Sequence, residues 1–325
     1  MSSYSIPNAT IITNLSKAAR DMRSRIDAVS TEAVTGRRSD LAGHLKGEIG
    51  NAMLSQKAVD DIATQREQLT LQGSRLTATQ ASLAIVGDAI GDLSTRMLSE
   101  TSTGTALAKQ RVSSDAGSAL DAVFSALNSR LGQRYLFAGD ATASPALDTQ
   151  TDLVGDIQAL AATAETTEDF TTSLDAYFED ADGPWRQAIY QGTDTKYDPD
   201  AVAANDPAIV GVIKHTAVLA AGSGGPNALG RNTEQILRLS AESLGAAQTA
   251  LVDLRADVGV SQSRVSNGVE ALEQEETIVT EIFNTLTARD QYEAATELLQ
   301  LQTNLEATYV LTSRLSGLSL INYLR

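Results

Sequence analysis

The sequence predicts a mainly α fold: long antiparallel helical rods, coiled-coil helices at both chain ends, and a small inserted α/β or β-rich domain. Three observations carry this expectation. The chain has 325 residues with only 6 prolines and 4% aromatics, so its core must be built largely from Leu, Ile, Val and Ala. Two long stretches keep an apolar residue at every seventh position. Between them lies a segment of different composition, rich in Asp, Thr, Ala and Gly.

The first element follows Pro7. Ile12, Leu15, Ala19, Met22, Ile26, Val29 and Ala33 alternate by three and four, a heptad stripe that stops at Gly36, before Arg37 and Arg38. A single helix with so narrow a stripe is marginal in water without a neighbour. Four glycines, at 36, 43, 47 and 50, make residues 37–50 an irregular stretch. A rod then carries Ile62, Leu69, Leu76, Leu83, Ile90 and Met97 in one register. After a turn at Thr101–Thr105, a third helix shows Val112, Ala116, Ala119, Val123 and Leu127 on one face.

Tyr135-Leu136-Phe137-Ala138-Gly139 reads as strand or loop. Beyond it, residues 140–230 form the insertion, with helical pieces at Leu153–Thr163 and Ala208–Ala221 and short strands. Asn232 is placed to cap the second rod, whose stripe is Leu237, Leu244, Leu251, Val258, Val265, Leu272, Val279 and Leu286. Such a helix spans about 75 Å at ~1.5 Å per residue. The register breaks at Arg289-Asp290-Gln291, and a new stripe runs through Ala294, Leu298, Leu301, Leu305, Thr308, Thr312 and Leu315 to an ending with Leu318, Leu320 and Tyr323. The expected division is nested: 1–36 with 290–325 as a terminal coiled-coil domain, 37–139 with 231–289 as the rod domain, and 140–230 as an outer domain.

Charge narrows the function classes. The formal net charge of −16 disfavours a nucleic-acid or anionic-membrane binder. Acidity concentrates between Asp140 and Asp200, with fourteen acidic residues against Arg186 and Lys196, which suits a solvated, outward-facing part. There is no cysteine, so disulfides and thiolate chemistry are absent. No apolar run is long enough to span a bilayer, and the first residues lack the pattern of a cleavable signal peptide.

No catalytic, cofactor-binding or metal constellation is expected. His44 and His215 fall in different predicted domains, and the glycines at 222–225 lack the Lys-Ser/Thr of a phosphate loop. The acidic run lacks the twelve-residue calcium loop. The end stripes are different. Ile12, Leu15, Met22, Ile26 and Val29, with Leu298, Leu301, Leu305, Leu315, Leu318, Leu320 and Tyr323, are the candidate assembly interface. The two rod stripes are the candidate rod core. Each fully buried Leu or Ile contributes roughly 1.5–3 kcal/mol, enough to drive assembly once the helices are ordered.

Three stretches resemble the bacterial flagellin family. Asn14-Leu15 with the following helix and Thr35-Gly36-Arg37-Arg38 is similar to the family's opening helix and turn. Leu136-Phe137-Ala138-Gly139 resembles the motif that closes the N-terminal half of its rod domain. Leu301-Gln302-Thr303-Asn304-Leu305-Glu306-Ala307-Thr308-Tyr309 and Leu318-Ser319-Leu320-Ile321-Asn322-Tyr323-Leu324 are similar to the endings of its hook-associated, hook–filament junction members. Ser39-Asp40-Leu41-Ala42-Gly43-His44 departs from the family's usual Asp-Asp-Ala-Ala segment.

The resemblance implies a flagellin-like bundle and a structural subunit exported by a type III apparatus to the cell exterior. The implied partners are further copies in a homo-oligomer ring, flagellin, another hook-associated junction protein and an export chaperone, with no nucleic acid and no membrane insertion. A filament flagellin is the alternative. A coiled-coil signalling scaffold should carry its heptads through a hairpin tip, whereas here the unlike segment at 140–230 intervenes.

Overall fold

The structure, a computed structural model, describes residues 7–45, 47, 49–196 and 198–323. It is 78% helical, which makes it a mainly α protein. Its elements are α1 (Pro7–Thr35), α2 (Leu41–Leu45), α3 (Ile49–Ile90), α4 (Leu93–Thr103), α5 (Ala106–Leu127), β1 (Arg130–Leu131), β2 (Arg134–Tyr135), α6 (Leu153–Thr163), α7 (Thr167–Glu179), α8 (Pro207–Ala221), α9 (Thr233–Thr287) and α10 (Gln291–Tyr323). They form two compact units, residues 1–66 with 271–325 and residues 67–270.

In the second unit, α3 and α9 run antiparallel. Gln80 Nε2 donates to the Arg255 carbonyl at 3.1 Å, and Gln262 Nε2 to Thr77 Oγ1 at 3.3 Å. The helices approach closely because small residues face large ones: a Cβ on Gly268 would stand 3.1 Å from Leu69 Cδ1. Leu76, Leu83 and Ile90 are buried from one side, and Leu237, Leu244, Leu251, Val258 and Val265 from the other. Leu69 is half-buried against this core.

The continuous rod expected through Met97 is broken in the structure. The α-helix ends at Ile90 and resumes as α4 at Leu93, and Gln248 of α9 donates to the freed carbonyls of Ile90 (3.3 Å) and Gly91 (2.7 Å). Ser94 Oγ adds a bond of 2.6 Å to the Ala241 carbonyl. The break keeps the helical phase, so Met97 is still fully buried.

The α5 helix opens on Thr105, whose side chain accepts from Ala108 N, and buries Val112, Ala116, Ala119, Val123 and Leu127. A β1–β2 hairpin turns at Gly132, with φ of 62°. Gly139 has φ of 61°, and a Cβ there would come within 1.8 Å of the Thr193 carbonyl oxygen, so only glycine fits. Phe137 and Ala138, just before it, have no exposed surface.

Between residues 140 and 230, α6 begins one residue after its cap, Asp152, which accepts from Gly155 N at 2.9 Å. The short strands expected there reduce, among the described residues, to a bridge between Leu147 and Tyr190. In their place stands α7, a helix beyond those expected from the sequence. It carries a reciprocal cap between Thr166 and Asp169 and buries Phe170, Leu174, Tyr177 and Phe178. The sole tryptophan, Trp185, is fully buried and donates from Nε1 to Asn205 Oδ1 at 2.9 Å. Asn232 stands just before α9 as expected, but its amide reaches the Glu165 carbonyl at 3.4 Å.

The α8 helix is buried around most of its circumference. Its Lys214 pins α7 by ion pairs to Asp175 and Glu179. Beside it His215 is held neutral: burial first, then the Lys214 charge, lowers its pKa to about 4, with Asp175 and Glu179 opposing. In the unfolded chain it titrates near 6.5. Between those values the unfolded state binds the proton and the folded state does not. Stability from this group therefore falls as pH drops from about 6.5 to about 4, by something on the order of 3 kcal/mol in all. Urea titrations at pH 7 and pH 5 should show a smaller drop in His215→Gln than in the parent.

Candidate assembly surface

In the first unit, α1 and α10 lie side by side as a pair. Arg25 of α1 grips Glu297 of α10 through Nε (2.9 Å) and Nη2 (2.7 Å), and the Arg23 guanidinium sits 5.4 Å from the centre of the Tyr309 ring. Along the seam Ala19, Val29 and Ala294 are buried, while Leu15, Met22, Ile26, Leu298, Leu301 and Leu305 are half-buried. The two terminal stripes thus lean on one another within a single chain. The side chains of Ile12, Leu315, Leu318, Leu320 and Tyr323 lie outside the described residues.

The rod stripes continue into this unit with Ile62, which is buried, and with Leu272, Val279 and Leu286, which are half-buried. Arg66 and Glu276 form an ion pair of 2.6 Å. The register break expected at Arg289-Asp290-Gln291 is a helix boundary. Asp290 caps α10, accepting from Tyr292 N at 2.8 Å and Glu293 N at 3.2 Å. Residues 37–50, expected to be irregular, hold the short α2 and already begin α3 at Ile49.

Sequence reasoning missed a second set of apolar side chains that point away from the seam. Tyr292 (83% exposed) and Leu299 (65% exposed) are one heptad apart on α10, followed by Val310 and Leu311. Ile278 and Ile282, four residues apart on α9, are exposed as well. Their spacing was visible, but the heptad stripe drew attention to the face that the chain covers itself. Such a row is apolar surface that a neighbouring molecule could cover.

Among the described residues, no group of three or more His, Cys, Asp or Glu side chains converges as a metal site. None of the described helices is long and apolar enough to cross a membrane. His44 is exposed and His215 is half-buried in the second unit.

No curated protein matches this chain. A solved structure from Vibrio parahaemolyticus, provisionally assigned as a flagellar hook-associated protein, aligns with 12% identity and a TM-score of 0.48 over 72% of this chain and 95% of that one. A likeness at that level decides neither fold nor function. The sequence match is more specific: residues 241–324, from within α9 through the end of α10, match the bacterial flagellin C-terminal helical region.

Proposed function

We propose that this chain is a structural, non-enzymatic subunit of the bacterial flagellum, and specifically a hook–filament junction subunit of the hook-associated protein three type. The flagellar part rests on one observation, the match of residues 241–324 to the flagellin C-terminal helical region. The junction part rests on the endings Leu301–Tyr309 and Leu318–Leu324.

In this reading, residues 1–36 and 290–325 form the assembly domain, 37–139 and 231–289 the rod, and 140–230 the outer part. Subunits close into a ring between another hook-associated protein and the first flagellin. An export chaperone delivers the chain to the type III apparatus, which carries it outside the cell. Contacts with neighbours cover Tyr292, Leu299, Val310 and Leu311, which are about half or more exposed in the single chain, so that covering what remains supplies roughly 1–2 kcal/mol per side chain.

The second reading, a filament flagellin, is favoured by the name of the matched region. A deletion strain separates the two. Loss of a junction subunit leaves complete hooks and sheds unpolymerised flagellin into the medium. Loss of a filament flagellin leaves hooks with no flagellin outside the cell, and that result would overturn the junction role.

A further inference from the structure

The apolar seam between α1 and α10 does not fix how far one helix slides along the other. Leu15, Ala19, Met22, Ile26 and Val29 on one side, and Leu298, Leu301 and Leu305 on the other, recur at three- and four-residue steps. A slide of one heptad, about 10 Å, again sets apolar against apolar. Something else must choose the register.

The joint where α1 ends and α10 begins has the parts to do so. Gly36, with φ of 67°, turns the chain so that Arg37 bridges Ala288 antiparallel. Arg38 N donates to the Thr287 carbonyl and Arg289 N to the Gly36 carbonyl, each at 2.9 Å. Gln291 Nε2 reaches the Val34 carbonyl at 3.4 Å.

Beside these rungs the Arg289 side chain is only 10% exposed and faces three carboxylates. Glu297 lies at 2.6 Å, Glu32 of α1 at 3.7 Å and Glu293 at 3.8 Å. Both acids it shares are held elsewhere: Glu32 accepts from Ser39 N at 2.8 Å, and Glu297 is gripped by Arg25. Displacing α1 by a heptad takes Glu32 away from a largely buried guanidinium and breaks the Arg25 pair. Hydrophobic contacts are indifferent to that slide, whereas the main-chain rungs are broken by it and Arg289 keeps only the α10 carboxylates, Glu293 and Glu297.

We propose that this clasp, Gly36 to Arg38 against Thr287 to Arg289, is a registration device: it selects one alignment of α1 on α10 from several that the heptads alone would accept. Arg289 is its positioning residue. The role is independent of which flagellar part the chain builds.

The chain has no native cysteine, so spin labels can be placed uniquely on Ser24→Cys and Ser313→Cys, both exposed and set apart along the helix axis. Double electron–electron resonance on the full chain should give one narrow distance. In Arg289→Met and in Gly36→Ala a second population should appear, its distance displaced by roughly 6–8 Å, as a slide of one heptad (about 10 Å) requires for labels set apart along the axis, with circular dichroism showing the helices intact. Arg289→Lys, which keeps the charge, should show less of it. An unshifted single distance in both variants would overturn the proposal. So would loss of helix content without a displaced population, because the clasp would then only tether the two helices.

Discussion

Removing residues 290–325 is expected to abolish assembly while leaving the second unit folded. The deletion takes away all of α10, and with it the partner of α1, the Arg25–Glu297 pair and the outward Tyr292 and Leu299. A lone α1 with a half-covered stripe cannot meet its ordering cost, so it too should lose helix. Residues 67–270 keep their own core, from Leu76 and Leu83 through Trp185 to Leu251 and Val265. Circular dichroism should lose the signal of the two terminal helices. The thermal transition of the remaining helices should persist, and sedimentation should show monomer under conditions where the full chain polymerises or is incorporated. Complete unfolding would show that the chain ends belong to the core of the protomer.

Phe137→Ala should be among the most damaging single changes in the second unit. The side chain is fully buried in the main apolar cluster, and the Phe137 carbonyl accepts from Ala204 N at 2.8 Å, tying the hairpin region to the lead-in to α8. Truncation there leaves a cavity in a region fixed on both sides, by the Gly139 turn and by α8. A loss of about 3–5 kcal/mol is expected. Trp185 is a sole, fully buried reporter, so its fluorescence red shift in urea measures the change directly. The same substitution at exposed Leu107 should move the midpoint little. Equal effects at the two positions would contradict the placement of Phe137 in the core.

The helices were legible because burial follows their period. Leu237, Leu244, Leu251, Val258 and Val265 are all buried, as a seven-residue stripe on a long helix requires. Gly36, itself left-handed, announced the end of α1, and the register break at Arg289-Asp290-Gln291 announced a boundary whose cap, Asp290, only the structure shows. The break after Ile90 was hidden because it preserves phase, leaving Met97 on the same face. The α7 helix was obscured by its acidic surface, although Thr166 with Asp169 and the spacing of Phe170, Leu174 and Tyr177 marked it.

The functional surface was legible only in part. A heptad stripe states that a helix wants a neighbour and not which one, so the pairing of α1 with α10 inside one chain could not be read from Leu15 or Leu305. The clasp was less visible still, since its rungs are main-chain bonds from Arg38 and Arg289 that leave no side-chain pattern. Gly36-Arg37-Arg38 stood out in sequence, yet its counterpart Thr287-Ala288-Arg289 lies some 250 residues away and carries no motif of its own.

The central claim, a junction subunit built into the flagellum through its ends, is tested most directly by where the protein sits. Immunogold electron microscopy of flagella from cells carrying an epitope in the acidic segment 140–200 should show a single band at the boundary of hook and filament. Label along the whole filament would make the chain a filament flagellin, and flagella without label would contradict a structural role in the organelle altogether.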